Sequence, residues 1–382
     1  MGERFIYLDC NATTPLDSRV ADAMRPYLER GWGNPSSSHR EGREAKAALE
    51  AARSQVAACL GATADEIVLT SGGSESDNHA IVGVVEARGG GHVVTSAVEH
   101  PAVLEPLRSL EAAGRIRLTV VGVDGSGRVD PEEVIAALCP DTVLVTVMLA
   151  NNEVGTLQPV AALADAVHAR GALLHTDAAQ AVGKIPVDVG AQGVDLLTVA
   201  GHKLYGPKGV GALYVRSGIE LAPLIRGAGH ERGRRAGTEN VLGAVGLGMA
   251  CELAAAEVRT EGPQLADLRD RLRRRLAESI AGLVEHGHSV ERLPNTLSVA
   301  FPGVDAGRLM ARLADSVAVS AGAACHAEGV DVSHVLAAMG VDVAVALGTV
   351  RFSVGRFTTA DDVDAGAERV LAAVAAIRAE TL

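Results

Sequence analysis

The first two thirds of this 382-residue chain alternate between segments with helical spacing of apolar residues and short apolar runs. Turn residues bound each run, as expected for buried strands. Such alternation is typical of a mostly parallel sheet with helices on both faces, because parallel strands need crossover connections. The predicted helices are 40–60, 75–88, 101–113, 131–138 and 159–170, and the predicted strands are EIVLT, HVVTS, RLTVVGV, VLVTVMLA, ALLHTD and DLLTVAG. We therefore predict an α/β fold.

The pattern changes near residue 260, where strands and helices no longer alternate regularly. The predicted elements of this part are a charged helix over 264–282, strand-like NTLSVAF, a helix over 305–315, the segment SVAVSAGAACHAEG, strand-like RFSVGRF and a final helix over 360–380. This order indicates a smaller α+β domain.

Charge and cysteine content exclude several classes of protein. A formal net charge of −12 argues against a nucleic-acid surface, which needs clustered Lys and Arg. We see no apolar stretch approaching the roughly 20 residues that span a bilayer, and no signal region at the start. Five cysteines without a CxxC pair predict a cytoplasmic protein without a disulfide framework. Twelve scattered histidines show no metal-ligand spacing, so we expect no metal site.

Polar residues follow several predicted strands, and in open α/β sheets ligands bind beyond those strand ends. The turn SGGSES follows EIVLT, where Gly72 and Gly73 allow close backbone approach and Ser74 adds a donor, as in an anion site at a helix start. By itself this pattern also fits an ordinary turn with a helix cap. His100 and Asn152 follow the next strands, and a lone histidine in such a place is more often structural.

Asp177 and Lys203 each come directly after an apolar run. A carboxylate at a buried strand end either caps a helix or pairs with a cation, and a protonated pyridine nitrogen fits that second role. A partly buried lysine amine near another cation loses its proton readily and can attack a carbonyl. An anion turn, this carboxylate and this amine are together the three fixed points that pyridoxal phosphate (PLP) requires.

At these residues the chain resembles the cysteine desulfurases of the NifS/IscS group, which have the class-V aminotransferase fold. The resemblance covers essentially the whole chain. Its motifs are YLDCNATTPLD, GNPSSSH, TSGGSESDN, EHPAVL, ANNEVGTLQP, HTDAAQAVGK, GHKLYGPKGVGALY, GHERGRRAGTEN, LPNT, SAGAAC and RFSVGRFT. It implies PLP fold type I, with a large PLP-binding domain over 16–258 and a small domain, 1–15 with 259–382, that carries a catalytic cysteine loop.

The resemblance also implies a role for each residue that matches a family motif. Lys203 would bind the cofactor covalently, Asp177 would pair with the pyridine nitrogen, and His100 would stack on the ring and handle protons. Cys325 would receive the sulfur of L-cysteine as a persulfide. The other implied cofactor contacts are Gly73, Ser74, Asn152, Gln180, His202 and Thr238. The implied substrate contacts are Asn11, Asn152, Arg351 and, as a weaker candidate, Arg356.

Thr238 would reach the phosphate of a partner subunit, which implies a homodimer, and a sulfur-acceptor or scaffold protein is the implied second partner. Three positions depart from the family pattern: Ala200 replaces a phosphate-binding hydroxyl residue, Cys10 stands where Asn or Tyr is usual, and His326 follows Cys325. The pair Cys325–His326 is similar to selenocysteine lyases. A lyase acting on L-selenocysteine, another C–S lyase, a class-V transaminase and an inactive sulfur-relay protein therefore remain alternatives.

Overall fold

A computed structural model describes residues 4–326 and 329–380 of the protein. The helices, in chain order, are α1 (Ser18–Glu29), α2 (Arg40–Leu60), α3 (Gly73–Arg88), α4 (Pro101–Ala112), α5 (Pro131–Ala136), α6 (Ala164–Ala169), α7 (Val189–Gln192), α8 (Val241–Ser279), α9 (Ala306–Leu313), α10 (His334–Ala338), α11 (Val343–Ala346) and α12 (Ala360–Ala379). The strands are β1 (Ile6–Tyr7), β2 (Ile67–Thr70), β3 (Gly91–Ser96), β4 (Ile116–Val121), β5 (Thr142–Thr146), β6 (Leu173–Asp177), β7 (Leu196–Ala200), β8 (Gly211–Val215), β9 (Val284–His286), β10 (Thr296–Ala300), β11 (Val317–Ala318), β12 (Ser320–Ala321), β13 (Ala323–His326), β14 (Gly329–Val332) and β15 (Thr349–Ser353).

The large sheet has seven strands in the order β2-β8-β7-β6-β5-β3-β4. β8 runs antiparallel to both of its neighbours, and every other neighbouring pair is parallel. The prediction of an α/β fold with a mostly parallel sheet is therefore confirmed. Because all strands except β8 point the same way, their carboxyl ends meet at one edge of the sheet.

Alternating strand residues bury apolar side chains on the two faces of this sheet. Leu174 and Leu197 belong to the hydrophobic cluster on one face, and their neighbours Leu173 and Leu196 belong to the cluster on the other. Fully burying each such side chain contributes about 1.5–3 kcal/mol. The sheet is thus held between two helical layers, which fixes the strand ends that carry the polar residues.

The C-terminal part contains a second, antiparallel sheet with the order β12-β15-β10-β9. Its hydrophobic cluster includes Ile6, Leu265, Phe352 and Val370, and β1 pairs with β11, so the N-terminal strand packs with the C-terminal elements. A separate core supports the division into 16–258 and 1–15 with 259–382, which remains our proposal.

Helix α8 differs from the predicted helix 264–282, because it begins at Val241, spans 39 residues and crosses position 258. The first half of α8 was not predicted because it contains several glycines, and glycine is a poor helix former. They allow close packing: a Cβ on Gly248 would lie 2.7 Å from Ala52 Cα of α2. Helix α1, helices α7, α10 and α11, and strand β8 were also missed, and the predicted helix 159–170 is a 3₁₀ turn followed by α6.

The apolar half of α8 also corrects the expectation that the chain lacks a stretch suited to a bilayer. Over 18 residues its mean hydropathy is 1.6, which by length and composition alone would allow it to cross a membrane. However, 56% of that window is buried inside the protein, where α8 packs against α1 and α2. This burial is typical of a core helix in a globular protein.

Candidate active site

A cavity of about 340 Å³ lies at the edge where the parallel strands end. This volume is within the range of small-molecule sites. The structure brings most of the predicted site residues together here. Those that line it are Asn11, Gly73, Ser74, His100, Asn152, Asp177, Gln180, His202, Lys203 and Arg351.

Lys203 lies in the 3₁₀ turn Gly201–Lys203 that directly follows β7. Its Nζ donates hydrogen bonds to the main-chain oxygens of Asn11 (2.5 Å) and Ala12 (2.8 Å). Burial, with the nearby Arg351 guanidinium, lowers the Lys203 pKa to about 8, whereas Asp177 acts in the opposite direction. A substantial fraction of this amine is therefore neutral near physiological pH, as nucleophilic attack on a carbonyl requires.

Asp177 ends β6 and is buried, with Oδ1 accepting a hydrogen bond from the Ala179 N–H at 2.8 Å. Burial raises the Asp177 pKa, and the His100 and Lys203 charges partly offset that effect. A cation placed beside this carboxyl would stabilise its ionised form. Asp177 is therefore suited to hold a protonated ring nitrogen.

His100 caps the first turn of α4, where its Nδ1 accepts the Ala102 N–H at 3.1 Å. His100 is exposed on the cavity side. The protein around it removes much of its hydration, and this desolvation lowers its pKa. Because Nδ1 is an acceptor, the proton of the neutral ring is on Nε2. His100 thus has both a structural and a functional interpretation, and the structure is compatible with both.

The anion turn lies where β2 meets α3. Gly72 has φ +151°, which favours glycine, and it precedes the first helical residue, Gly73. A Cβ on Gly73 would lie 3.3 Å from the Ala200 Cβ, so this glycine keeps the cavity open beside the helix N-terminus. Burial and nearby lysines lower the pKa of His202, which also lines the cavity, to about 4, so it is neutral at pH 7.

Arg351 lies on β15, so the small sheet contributes a cation to the cavity of the large one. Its guanidinium donates to Asn152 O (2.9 Å), to Ser320 Oγ (2.8 Å) and to Asp9 Oδ1 (2.8 Å). The Asn11 amide donates to Asn152 O (3.1 Å) and to a nearby threonine. Asn11 therefore lines the cavity, but both N–H groups of its side chain are already hydrogen-bonded within the protein. Arg351 is the cation suited to a substrate carboxylate.

Two predicted residues are not brought into the cavity. Arg356 donates to Asp17 (2.7 Å) and Glu261 (2.5 Å), and its guanidinium carbon lies 4.4 Å from the centre of the Tyr205 ring. These contacts correct the expectation of a substrate-binding role, because they occupy the guanidinium outside the cavity. Thr238 is exposed at the surface and also does not line it.

Cys325 and His326 lie in β13, which forms a hairpin with β14 and places Cys325 opposite Val330. Their side chains lie outside the described residues. The two ends of the hairpin are joined, because the Ser333 N–H donates to Gly322 O at 3.1 Å. His334, which follows, contacts the main-chain oxygen of Glu99 through Nε2 at 2.8 Å.

Sequence reasoning missed Asp77 and Lys184. Asp77 lines the cavity from α3, is buried, and its Oδ1 has no hydrogen-bond partner among the described residues. Burial and the neighbouring Asp177 raise its pKa well above the usual range. Both residues lie within the motifs SGGSESDN and HTDAAQAVGK, so their position next to Gly73 and Gln180 was the available signal.

The residues present fit PLP. The N-terminus of a 16-residue helix and His202 supply donors for a phosphate, Asp177 supplies a carboxyl for the ring nitrogen, and Lys203 supplies the amine. Two residues that line the cavity have buried polar atoms without a hydrogen-bond partner among the described residues: Arg351 Nε, and Asp77 Oδ1, which lies 3.8 Å from His175 Nε2. A polar ligand would satisfy such atoms.

Comparison with known proteins gives the same result. The family model "Aminotransferase class-V" matches residues 6–365. The cysteine desulfurase IscS of Dictyoglomus turgidum is 46% identical over 365 residues, which are 95% of this chain and 92% of that protein. The chain belongs to the cysteine desulfurases of the class-V aminotransferase family.

Solved structures of this family superpose closely on the desulfurase. A NifS-like protein has a TM-score of 0.92 at 37% identity and covers 97% of this chain and 100% of its own. SspA, solved in complex with cysteine, has a TM-score of 0.80 at 34% identity and covers 93% of this chain and 100% of its own. The predicted PLP fold type I and the PLP cofactor are confirmed.

Proposed function

We propose that this cysteine desulfurase converts L-cysteine to L-alanine and transfers the sulfur to Cys325 as a persulfide for delivery to an acceptor protein. The observation that carries the proposal is the Lys203 amine, whose pKa is lowered to about 8 in a cavity that also contains Arg351 and Asp177. A neutral amine, a cation for the substrate carboxylate and a carboxyl for a ring nitrogen are the groups that this reaction needs.

PLP, when bound at Lys203, supplies an electron-accepting ring that weakens the bonds at the substrate Cα. Lys203, as a neutral amine, would accept the Cα proton. Asp177 would hold positive charge at the ring nitrogen, and Arg351 would orient the substrate carboxylate in exchange for its contact with Asp9. His100 is close enough to the same cavity to act as a proton partner.

The hairpin that contains Cys325 begins next to Arg351. Ser320 pairs with Arg351 across β12 and β15, and its Oγ accepts from the guanidinium at 2.8 Å. Cys325 is five positions after Ser320, and an extended chain of that length reaches about 16 Å. Cys325 is therefore within reach of the cavity, which supports its role as the sulfur acceptor of the first step.

The test is mass spectrometry of the protein after turnover of L-cysteine without reductant. We expect one added sulfur atom on the peptide that contains Cys325, none in Lys203→Ala, and none in Cys325→Ser. Cys325→Ser should still bind cysteine in the cavity but release no sulfide with reductant. Full sulfide release by Cys325→Ser would instead indicate a C–S lyase. The described cysteines Cys10, Cys59, Cys139 and Cys251 are free and provide internal controls.

We also propose a homodimer in which Thr238 acts on the cofactor phosphate of the partner subunit. Thr238 is exposed and outside its own cavity, whereas its neighbour Arg235 pairs with Glu75 beside the anion turn (2.9 Å). Mixing Lys203→Ala with Thr238→Val subunits tests this arrangement. If Thr238 acts in trans, the mixed dimer contains one intact site and regains activity; if it acts within its own chain, no activity returns.

The relatives reported above have cysteine desulfurase names, so the selenocysteine lyase alternative is not favoured. Comparing the turnover of L-cysteine with that of L-selenocysteine measures the preference directly. A cytoplasmic location is proposed from the free cysteines, and capture of the protein that removes the persulfide would identify the acceptor.

A further inference from the structure

Lys184 lies directly behind the cavity wall, in the turn that follows β6. Its side chain is buried, with 5% of the residue exposed, and it does not line the cavity. The chain turns at Gly183, whose φ is +80°, and the main-chain bonds Val182 N to Ala178 O (3.0 Å) and Ile185 N to Ala181 O (3.0 Å) close the turn on both sides of that glycine. This turn brings the Lys184 side chain to Gln180.

Both ends of the Gln180 amide are held. Lys184 Nζ donates to Gln180 Oε1 at 2.5 Å, and Gln180 Nε2 donates to Asn11 O at 2.9 Å. The reversed amide would place its oxygen against the Asn11 carbonyl oxygen, and its N–H₂ against the Lys184 amine whenever that amine carries its proton, which is unfavourable. One N–H of Gln180 therefore remains available to the cavity, because an amide nitrogen has two donors.

The same carbonyl connects this pair to the catalytic amine, because Asn11 O also accepts from Lys203 Nζ at 2.5 Å. The chain of contacts is thus Lys184, Gln180, Asn11 O and Lys203. A buried amine is costly, and an apolar side chain of similar length would cost less in this interior. Burial lowers the Lys184 pKa to about 7, with Lys203 and Arg351 adding to the effect and Cys10 opposing it.

We propose that Lys184 is a positioning residue, which fixes the Gln180 amide so that an N–H, and not the oxygen, faces the 3-oxygen of the PLP ring. The inference rests on the proposed placement of Gln180 at that ring oxygen. An N–H donor at that position stabilises the ionised form of the 3-oxygen. A Gln180 amide that is flipped, or that has no fixed orientation, favours the protonated form of the 3-oxygen instead.

The experiment measures the absorbance of the lysine-bound cofactor at a fixed pH. The ratio of the long-wavelength form, with an ionised ring oxygen, to the short-wavelength form, with a protonated one, should fall about fivefold in Lys184→Met, the effect of losing one hydrogen bond of ordinary net strength. PLP affinity, measured by equilibrium dialysis, should weaken by a similar factor. Lys184→Gln keeps a donor and should retain most of the wild-type ratio.

Gln180→Leu provides the double-mutant control. If Lys184 acts through Gln180, then adding Lys184→Met to Gln180→Leu changes the spectrum no further. An unchanged ratio in Lys184→Met, or an equal change in the presence and absence of Gln180, would overturn the proposal. If Lys184→Met does not fold, Lys184→Gln decides, because a ratio fallen fivefold with a donor present contradicts it. A wild-type protein without any lysine-bound cofactor would instead refute the proposed function itself.

Discussion

The capture of PLP by Lys203 should have an unusual pH dependence. Burial, with help from Arg351, lowers the pKa of this amine from 10.5 to about 8. A lowered pKa of a cationic group means that its neutral form is favoured. At pH 7 the neutral fraction rises from about 0.03% to about 9%, or about 300-fold, when the pKa falls by that amount. The capture rate should therefore rise about tenfold from pH 6 to 7 and level off above about 8.

The assay is stopped-flow absorbance after mixing PLP with enzyme from which the cofactor has been removed. PLP itself titrates, so each rate is divided by that of PLP with an N-acetylated lysine at the same pH. Arg351→Met is the matched variant, because it removes the second cause of the shift and should move the midpoint to higher pH. The normalised rate should be constant up to about pH 7 and fall about tenfold per pH unit above about pH 8, because the free lysine continues to gain neutral amine up to its own pKa of about 10.4. A normalised rate that stays constant through pH 10, as for an ordinary lysine, would refute the reasoning.

Three further predictions concern the cofactor, the core and the proposed role of His100. Ala200→Ser adds a hydroxyl beside Gly73 and should tighten PLP binding about tenfold or more in equilibrium dialysis, because one hydrogen bond to a charged group contributes about 1.5–3 kcal/mol. Arg53→Met leaves Glu231 buried without its cation (2.6 Å in the native pair) and should lower the free energy of unfolding in urea by about 3–5 kcal/mol, whereas Arg40→Ala, at an exposed pair, should leave the midpoint nearly unchanged. His100→Asn keeps a residue suited to cap α4, so it should slow turnover by about 100-fold or more without lowering the melting temperature; a large loss of stability would show that His100 is mainly structural.

Much of the site could be predicted because its residues follow strands. Asp177, Lys203 and the Gly72–Gly73 turn each come directly after an apolar run, and parallel strands bring their carboxyl ends to one edge. The order of the strands was not needed for that inference, and neither was their register. The glycine-rich half of α8 was missed for the opposite reason, since its helix is stabilised by close contact with α2 and not by local propensity.

The two arginines of RFSVGRF show where such reasoning ends. They lie five positions apart in one motif, and sequence offered both as partners for a substrate carboxylate. Arg351 faces the cavity from β15, whereas Arg356 is held by Asp17 and by two glutamates of α8. Those carboxylates are distant in sequence, so no local pattern could reveal them.

The sequence by itself thus determined the α/β class, the cofactor and the residues that we propose for its phosphate, its ring nitrogen and its aldehyde, because each depends on a local strand-to-turn pattern. Only the tertiary structure decided that Arg351 and not Arg356 faces the cavity, that burial lowers the Lys203 pKa to about 8, and that Lys184 lies behind Gln180. The physical reason is the same in each case: burial and long-range pairing set the charge and the orientation of a side chain, and both are properties of the packed molecule.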